Sequence, residues 1–445
     1  MEIKKIPPLN SAPDKSRQLQ TRFNQIIPGG SHTYAKGDDQ YPEFAPLYVT
    51  HGRGCHVWDV EGRKYIEYAM GLRSVTLGHA YPPVVEAAIR QLQRGSNFNR
   101  PSPIELECAE TLQELVPGAE MVKFAKNGSD ANGGAIKLAR AYTGRDLIAI
   151  CGDQPFFSVE DWFIGTTAMD AGIPQAIKDL TLKFCYNDLT TVEKLFRDNP
   201  GRIAAVMLEA EKETAPAKDF LPKLLELCHR EGALLIFDEM ITGFRWHNGG
   251  AQAYYGITPD LSTFGKALGN GFSVSALAGR REIMRLGGLD HDQPRVFLLS
   301  TTHGAETHAL AAAFEVMRTY QREPVIPMLW EQGRKLANGI RTVIADLKLE
   351  GFFGVSGQPC CLVYTTLDAN KSPSQAFRTL FLQETIKRGL LAPSLVVSYA
   401  HSDDDVQKTI EAIHATLVIY RKALEDGVEK YLHGRPVRPV FRKFN

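Results

Sequence analysis

From about residue 104 to about residue 315 the sequence alternates short apolar runs with helix-patterned stretches, and no other feature constrains the fold as much. The runs are Met121–Phe124, Leu147–Ile150, Ile203–Leu208, Ala233–Phe237 and Leu261–Phe264, with helical patterns such as Ala131–Tyr142 and Phe220–Arg230 between them. Runs this short that stay apolar at every position read as strands buried on both faces. Their alternation with helices predicts βαβ units and a mostly parallel sheet. A helical stripe starts after Tyr81-Pro82-Pro83, carried by Val84, Val85, Ala88, Ile89 and Leu92. The first 75 or so residues are irregular, with strand-like pieces at Gly54–Asp59 and Lys64–Tyr68. The pattern shifts again after Tyr320–Pro324. Helices at Met328–Leu347, Gln375–Arg388 and Asp403–Leu424 then surround a strand-like piece at Cys361–Tyr364. The expectation is a large α/β domain over 76–325 and a smaller α+β domain over 326–445, with the segment 1–75 packing against the smaller one.

An apolar share of 44% over 445 residues suffices for a large core and two or three domains. Lys plus Arg and Asp plus Glu both number 51, so the formal charge is zero, which excludes gripping nucleic acid by bulk charge and argues against disorder. No apolar run approaches the ~18 residues of a membrane span. Met1–Asn10 is basic without an apolar h-region, so neither a membrane span nor a secretory signal is expected and the localisation expected is cytoplasmic. The seven cysteines form no CxxC pair, which fits a reducing compartment rather than a disulfide framework. Cys360-Cys361 reads as core. The basic, Pro-rich tail Gly434–Asn445 reads as solvated.

Three segments carry chemistry. ALLIFDEMITGFR, residues 233–245, ends a buried strand in a carboxylate, Asp238, and parallel sheets gather ligands at such strand ends. In LSTFGKALGNGFSVSALAGR, residues 261–280, Lys266 sits among glycines and apolar residues. Most lysines are exposed solubility groups. One desolvated in a glycine-lined pocket has a lowered pKa and attacks carbonyls. In FAKNGSDANGGAIKLARAYTG, residues 124–144, Gly128 and Ser129 open a helix whose free N–H groups would suit a phosphate, although an ordinary N-cap explains most sequences of this kind. An Asp and a Lys at strand ends of one sheet suggest pyridoxal phosphate, with Lys266 forming the Schiff base and Asp238 pairing with the pyridinium nitrogen.

Together these segments resemble the class-III aminotransferases, with glutamate-1-semialdehyde 2,1-aminomutases the nearest group. Supporting stretches are IPGGSHTYAKG near residue 30, GCHVWDVEGRKYIEYAMGLRSVTLGHAYPPVVEA from residue 54 and AHSDDDV from residue 400, so the likeness runs over roughly 20–420 in the family order. The resemblance implies a fold-type-I transferase in which Lys266 and Asp238 are catalytic and pyridoxal 5'-phosphate is the cofactor. It implies that Gly128 and Ser129 bind the phosphate, that Phe156 stacks on one ring face and Met240 packs on the other, and that Glu209 walls the site. Thr302, in STTHGAETHALAAA, would reach the phosphate of a neighbouring subunit, making a homodimer.

On the substrate side the sequence departs from that pattern. The stacking loop reads Phe156-Phe157-Ser158 where the family has Tyr-His-Gly. Thr33-Tyr34-Ala35-Lys36 replaces Ser-Pro-Val-Arg, Leu72 followed by Arg73 replaces a Trp, and Glu306 replaces an Asn. After Ala392-Pro393-Ser394 the family's acidic loop residue is missing. The expectation is a kept cofactor chemistry and a changed substrate. The enzyme would be an aminotransferase that works through pyridoxamine phosphate, with a glutamate donor whose carboxylate Lys36 or Arg73 holds. Its acceptor would be a small aldehyde or ketone, polyhydroxylated or phosphorylated, facing Arg73 and Glu306. The alternatives are the aminomutase reaction and a non-catalytic scaffold. His303 and His308 around Glu306, and His51 and His56, read as structural, so no metal site is expected.

Overall fold

The computed structural model describes residues 14–43, 45, 48–156 and 158–444. Met1–Asn10 and Phe157, both used above, lie outside the described residues. The chain divides into two compact units: Met1–Leu72, Thr76–Tyr81 and Pro327–Arg442 make the first, and Arg73–Val75, Pro82–Ile326 and Lys443–Asn445 the second.

The second unit is built on a seven-stranded sheet. Its strands are β1 (Met121–Ala125), β2 (Leu147–Cys151), β3 (Thr181–Phe184), β4 (Ile203–Leu208), β5 (Leu234–Asp238), β6 (Leu261–Phe264) and β7 (Ser275–Gly279). The spatial order is β1-β7-β6-β5-β4-β2-β3. All pairs from β6 across to β3 are parallel, whereas β7 runs antiparallel to both β6 and β1. The sheet is therefore mostly parallel α/β, as its sequence implied, with one reversed strand that the sequence did not reveal. Each residue of β5 is buried, and successive ones serve opposite faces. Leu234 and Ile236 join one apolar cluster with Trp162 and Leu277, while Leu235 and Phe237 join the other with Phe196 and Leu224. Burying each such side chain stabilises the fold by roughly 1.5–3 kcal/mol. Two covered faces explain why the strand is apolar throughout rather than alternating.

The first unit holds an antiparallel meander of Val49–Arg53, His56–Asp59 and Lys64–Glu67, extended in parallel by Leu390–Leu391. A hairpin, Phe353–Ser356 with Val363–Thr366, and the helices Gln375–Lys387 and Asp403–Asp426 complete it. Cys361 falls in a short 3-10 turn, Pro359–Cys361, so the strand begins two residues later than its apolar pattern suggested. The C-terminal tail is solvated only in part: Pro436, Arg438, Lys443 and Phe444 are exposed, but other residues are docked. Val437 is buried and its N–H donates to the Thr379 hydroxyl, Arg438 N–H donates to the Asp39 carbonyl, and Arg442 pairs with the Asp39 carboxylate at 2.7 Å. Arg435 and Arg442 are paired with Asp38 and Asp39 of the same chain, which composition alone could not show.

Candidate active site

Asp238 ends β5, and its backbone neighbour across the ladder is Thr263 of β6. Its side chain is buried and doubly held: Oδ1 accepts from the Met240 N–H at 2.8 Å, and Oδ2 accepts from the Asn132 amide at 2.9 Å. Asn132 lies on the helix Gly128–Thr143, and its carbonyl accepts from the Thr263 hydroxyl at 2.6 Å. A carboxylate fixed this way points its charge in one direction without side-chain freedom.

Lys266 follows β6 and opens the 3-10 turn Lys266–Gly269 with φ +44°. A non-glycine residue in the left-handed region costs on the order of 1–3 kcal/mol and persists only where its surroundings impose it. Burial lowers the pKa of its amine; Asp238 and Glu209 pull it back up, while Arg73 and Arg245 lower it further. Those four charged groups all belong to the second unit and surround one amine.

Glu209 follows β4 and is held in place by its backbone: its N–H donates to the Gln154 carbonyl and its carbonyl accepts from the Gln154 amide, both at 2.9 Å. Its carboxylate is buried, neither oxygen has a hydrogen-bond partner among the described residues, and Lys212 Nζ stands 3.9 Å away. Burial pushes its pKa up to about 7, against the opposing pull of Lys212. Ile150, Gln154, Phe156, Phe163, Glu209 and Asp238 line one small cavity. Phe156 stacks on Phe163 there, with ring centroids 3.7 Å apart and planes 23° apart.

Gly128 and Ser129 begin the helix Gly128–Thr143, and the Ser129 hydroxyl accepts from the Val159 N–H at 3.2 Å. The absence of side chains at two glycines matters here. A Cβ on Gly128 would come within 3.1 Å of Met240 Sδ, and one on Gly265 within 2.7 Å of the same atom. Arg73 closes a left-handed turn in which Met70, Gly71, Leu72 and Arg73 have φ of +43°, +58°, +59° and +69°. The Arg73 carbonyl accepts from the buried Arg245 guanidinium at 2.5 Å, and its own Nε is buried without a partner among the described residues.

The structure thus gathers Asp238, Lys266, Glu209, Met240, Phe156, Gly128, Ser129 and Arg73 within one unit. The other expected residues have settings of their own. Lys36 is exposed in the first unit, on the rim of a cavity of about 390 Å³ that Tyr41, Glu67 and His79 also line. Glu306 caps the helix Thr307–Arg322 and is ion-paired with Lys126, which holds its carboxyl below the usual range. Thr302 is exposed on its own chain. Sequence reasoning missed Asn132, Gln154 and Arg245. The signal for Asn132 was a polar residue four positions into a helix of small apolar residues; that for Arg245 was an arginine closing a buried segment.

The donor set fits pyridoxal phosphate: a fixed buried carboxylate, a desolvated lysine, an aromatic wall, a helix N-terminus and two glycines packed against Met240. A parallel sheet with this set at its strand ends defines a cofactor-dependent enzyme of the pyridoxal phosphate class. Comparison with known proteins narrows it. Residues 36–416 match the model of the family Aminotransferase class-III. The chain is 35% identical over 430 residues to glutamate-1-semialdehyde 2,1-aminomutase of Chloroherpeton thalassium, covering 90% of this chain and 97% of that one. It is 32% identical over 426 residues to the enzyme of that name from Archaeoglobus fulgidus, covering 91% and 99%. Among solved structures, the internal aldimine form of the FumI protein of Sphingopyxis sp. superposes with a TM-score of 0.84 at 26% identity, covering 96% of this chain and 99% of that one. An omega-transaminase from Sphaerobacter thermophilus gives 0.79 at 27%, covering 91% and 98%. The chain belongs to the class-III aminotransferase family, and it is a pyridoxal-phosphate-dependent enzyme of the fold-type-I architecture. No helix among the described residues is long and apolar enough to cross a membrane.

Proposed function

We propose that this enzyme is an aminotransferase that takes an amino group from a donor, glutamate, and delivers it to an aldehyde or ketone acceptor. The observation that carries the proposal is the setting of Lys266: an amine made less basic by burial, in the same charged pocket as a carboxylate locked by Asn132 and Met240. When bound, pyridoxal phosphate supplies an aldehyde that captures amines and a protonated ring that withdraws electrons.

The residues of the chain divide the remaining work. Asp238 would keep the ring nitrogen protonated, and its two hydrogen bonds hold the charge where the ring needs it. Gly128 and Ser129 would take the phosphate at the positive end of the helix. Phe156 and Met240 would cover the two ring faces and keep water off them. Lys266 Nζ, made less basic by desolvation, would be the group that holds the cofactor's aldehyde. The same amine would be the base that removes the proton from the donor's α-carbon and the acid that returns it. Arg73, with its buried Nε unpartnered, is the cation for the donor carboxylate, and Lys36 is the alternative. Thr302, exposed on its own chain, would complete a neighbouring subunit's phosphate site in a homodimer.

A second reading, the aminomutase reaction, is favoured by the names of the relatives. The resemblance assigns the changed positions Lys36, Leu72, Phe157 and Glu306 to the substrate side, which favours a different acceptor. The test is a half-reaction. Holoenzyme mixed with glutamate should lose its cofactor absorption and release one equivalent of 2-oxoglutarate per site. Processing of glutamate 1-semialdehyde with no 2-oxoglutarate from glutamate would give the aminomutase reading its place.

A further inference from the structure

We propose that Cys55, His56 and Asp405, all in the first unit, form a binding site for one divalent cation of the zinc type. Cys55 Sγ lies 3.4 Å from Asp405 Oδ2 and 3.6 Å from His56 Nδ1, and His56 Nε2 lies 3.1 Å from Asp405 Oδ1. One ligand atom from each residue falls within 4.8 Å of the other two. A tetrahedral zinc with Zn–S of about 2.3 Å and Zn–N or Zn–O of about 2.0–2.1 Å has S···N and S···O edges of about 3.5 Å. The two edges at sulfur, to His56 Nδ1 and Asp405 Oδ2, already match that figure, and a cation held by those atoms would take the place of the His56 Nε2–Asp405 Oδ1 contact.

The frame is rigid. Cys55 and His56 follow Gly54, whose φ of +61° makes the turn between two strands, and Gly54 exchanges both backbone hydrogen bonds with His79. Asp405 sits in the first turn of the helix Asp403–Asp426, where Ser402 donates to it through N–H at 3.0 Å and Oγ at 2.6 Å. Cys55 is 1% exposed, whereas His56 is only half-buried, which leaves a position open to a water ligand. Sulfur, imidazole and a single carboxylate select zinc-like ions over magnesium or calcium, which want oxygen alone. A thiolate and a carboxylate together cancel the charge of a dication, which removes the cost of burying it. On binding, the Sγ–H bond breaks, its proton passes to solvent and the sulfur–metal bond forms. No residue given a part in amino transfer belongs to this cluster.

Cobalt(II), the probe, reports thiolate ligation and tetrahedral geometry through bands in the red, where the cofactor does not absorb. Tag-free holoenzyme stripped with chelator should take up one equivalent of cobalt(II) with intense red bands that zinc then abolishes. Cys55→Ala should lose the bands, and His56→Asn should weaken binding by more than the ~10–100-fold that loss of an outer partner costs. Cys185→Ala, at the exposed cysteine, should titrate as the parent does. Retained cofactor absorption certifies that each variant is folded. Absence of tetrahedral bands in the parent, or their survival in Cys55→Ala, would overturn the assignment and leave a hydrogen-bonded cluster that needs no ion.

Discussion

Asn132 donates to Asp238 at 2.9 Å and accepts from Thr263 at 2.6 Å, so one amide ties the helix Gly128–Thr143 to the ends of β5 and β6. The carboxylate that faces Lys266 is aimed from the same helix whose first turn carries Gly128 and Ser129. Replacing Asn132 with Leu leaves the Thr263 hydroxyl and one Asp238 oxygen buried without that partner. Unmet hydrogen bonds of this kind, one to a charged group, cost ~1.5–3 kcal/mol. Chemical denaturation should find that loss, and turnover should fall with it while KM for the donor changes little. An undiminished unfolding midpoint would show that Asp238 needs no such support.

Lys266→Ala should still bind pyridoxal phosphate, because the carboxylate, the helix N-terminus and the Met240 wall remain. Borohydride treatment followed by mass spectrometry should then find no cofactor attached to protein, whereas the parent carries one per chain. An adduct on any other lysine of the variant would move the site.

Glu209 gives the cofactor-free protein a pH dependence of defined sign. Its pKa rises from an ordinary 4.5 to about 7 in the folded state, with burial the main cause. The folded chain therefore holds that proton more tightly than the unfolded one. The stabilisation is fully present below about pH 4.5 and is lost as pH rises through about 7. Glu209→Gln removes the dependence, so its advantage over the parent should grow across that window to roughly 3 kcal/mol. Melting curves of both proteins at several pH values measure it; parallel curves would mean that Glu209 ionises freely.

Gly265→Ala should weaken cofactor binding, since its Cβ would sit 2.7 Å from Met240 Sδ and force that side chain into the site. Overpacking of this sort costs ~1–3 kcal/mol. Adding Met240→Ala should restore part of the affinity. A double variant no better than the single one, in a fluorescence titration of the apoenzyme, would place the damage elsewhere.

The sheet and the central pair of the site were legible in the sequence because both are local. Strands buried on two faces are continuous apolar runs, and Ile203–Leu208 and Leu261–Phe264 were bounded to the residue. Two strands escaped for physical reasons. Ser275–Gly279 is small apart from Leu277 and shows no β-branched signal, and Thr181–Phe184 is an edge strand with an exposed Lys183. In the site, Asp238 and Lys266 announced themselves by residue type against an apolar background. Asn132, Gln154 and Arg245 act through partners that lie far away in sequence, so the local signals at Asn132 and Arg245 do not say what they bind and Gln154 has none. The anchoring of the tail was missed for the same reason: Asp39 and Thr379, which receive it, are remote along the chain.

Met70 to Arg73 wind one turn in the hand that L-amino acids resist, at roughly 1–2 kcal/mol for each residue other than glycine. A right-handed turn of equal length would send the Arg73 guanidinium off in another direction. Insertion or deletion of a single residue there would therefore swing the arginine away from Lys266 and Glu209 while leaving the sheet untouched. The hand of these four residues thereby sets where the Arg73 charge stands beside the Lys266 amine.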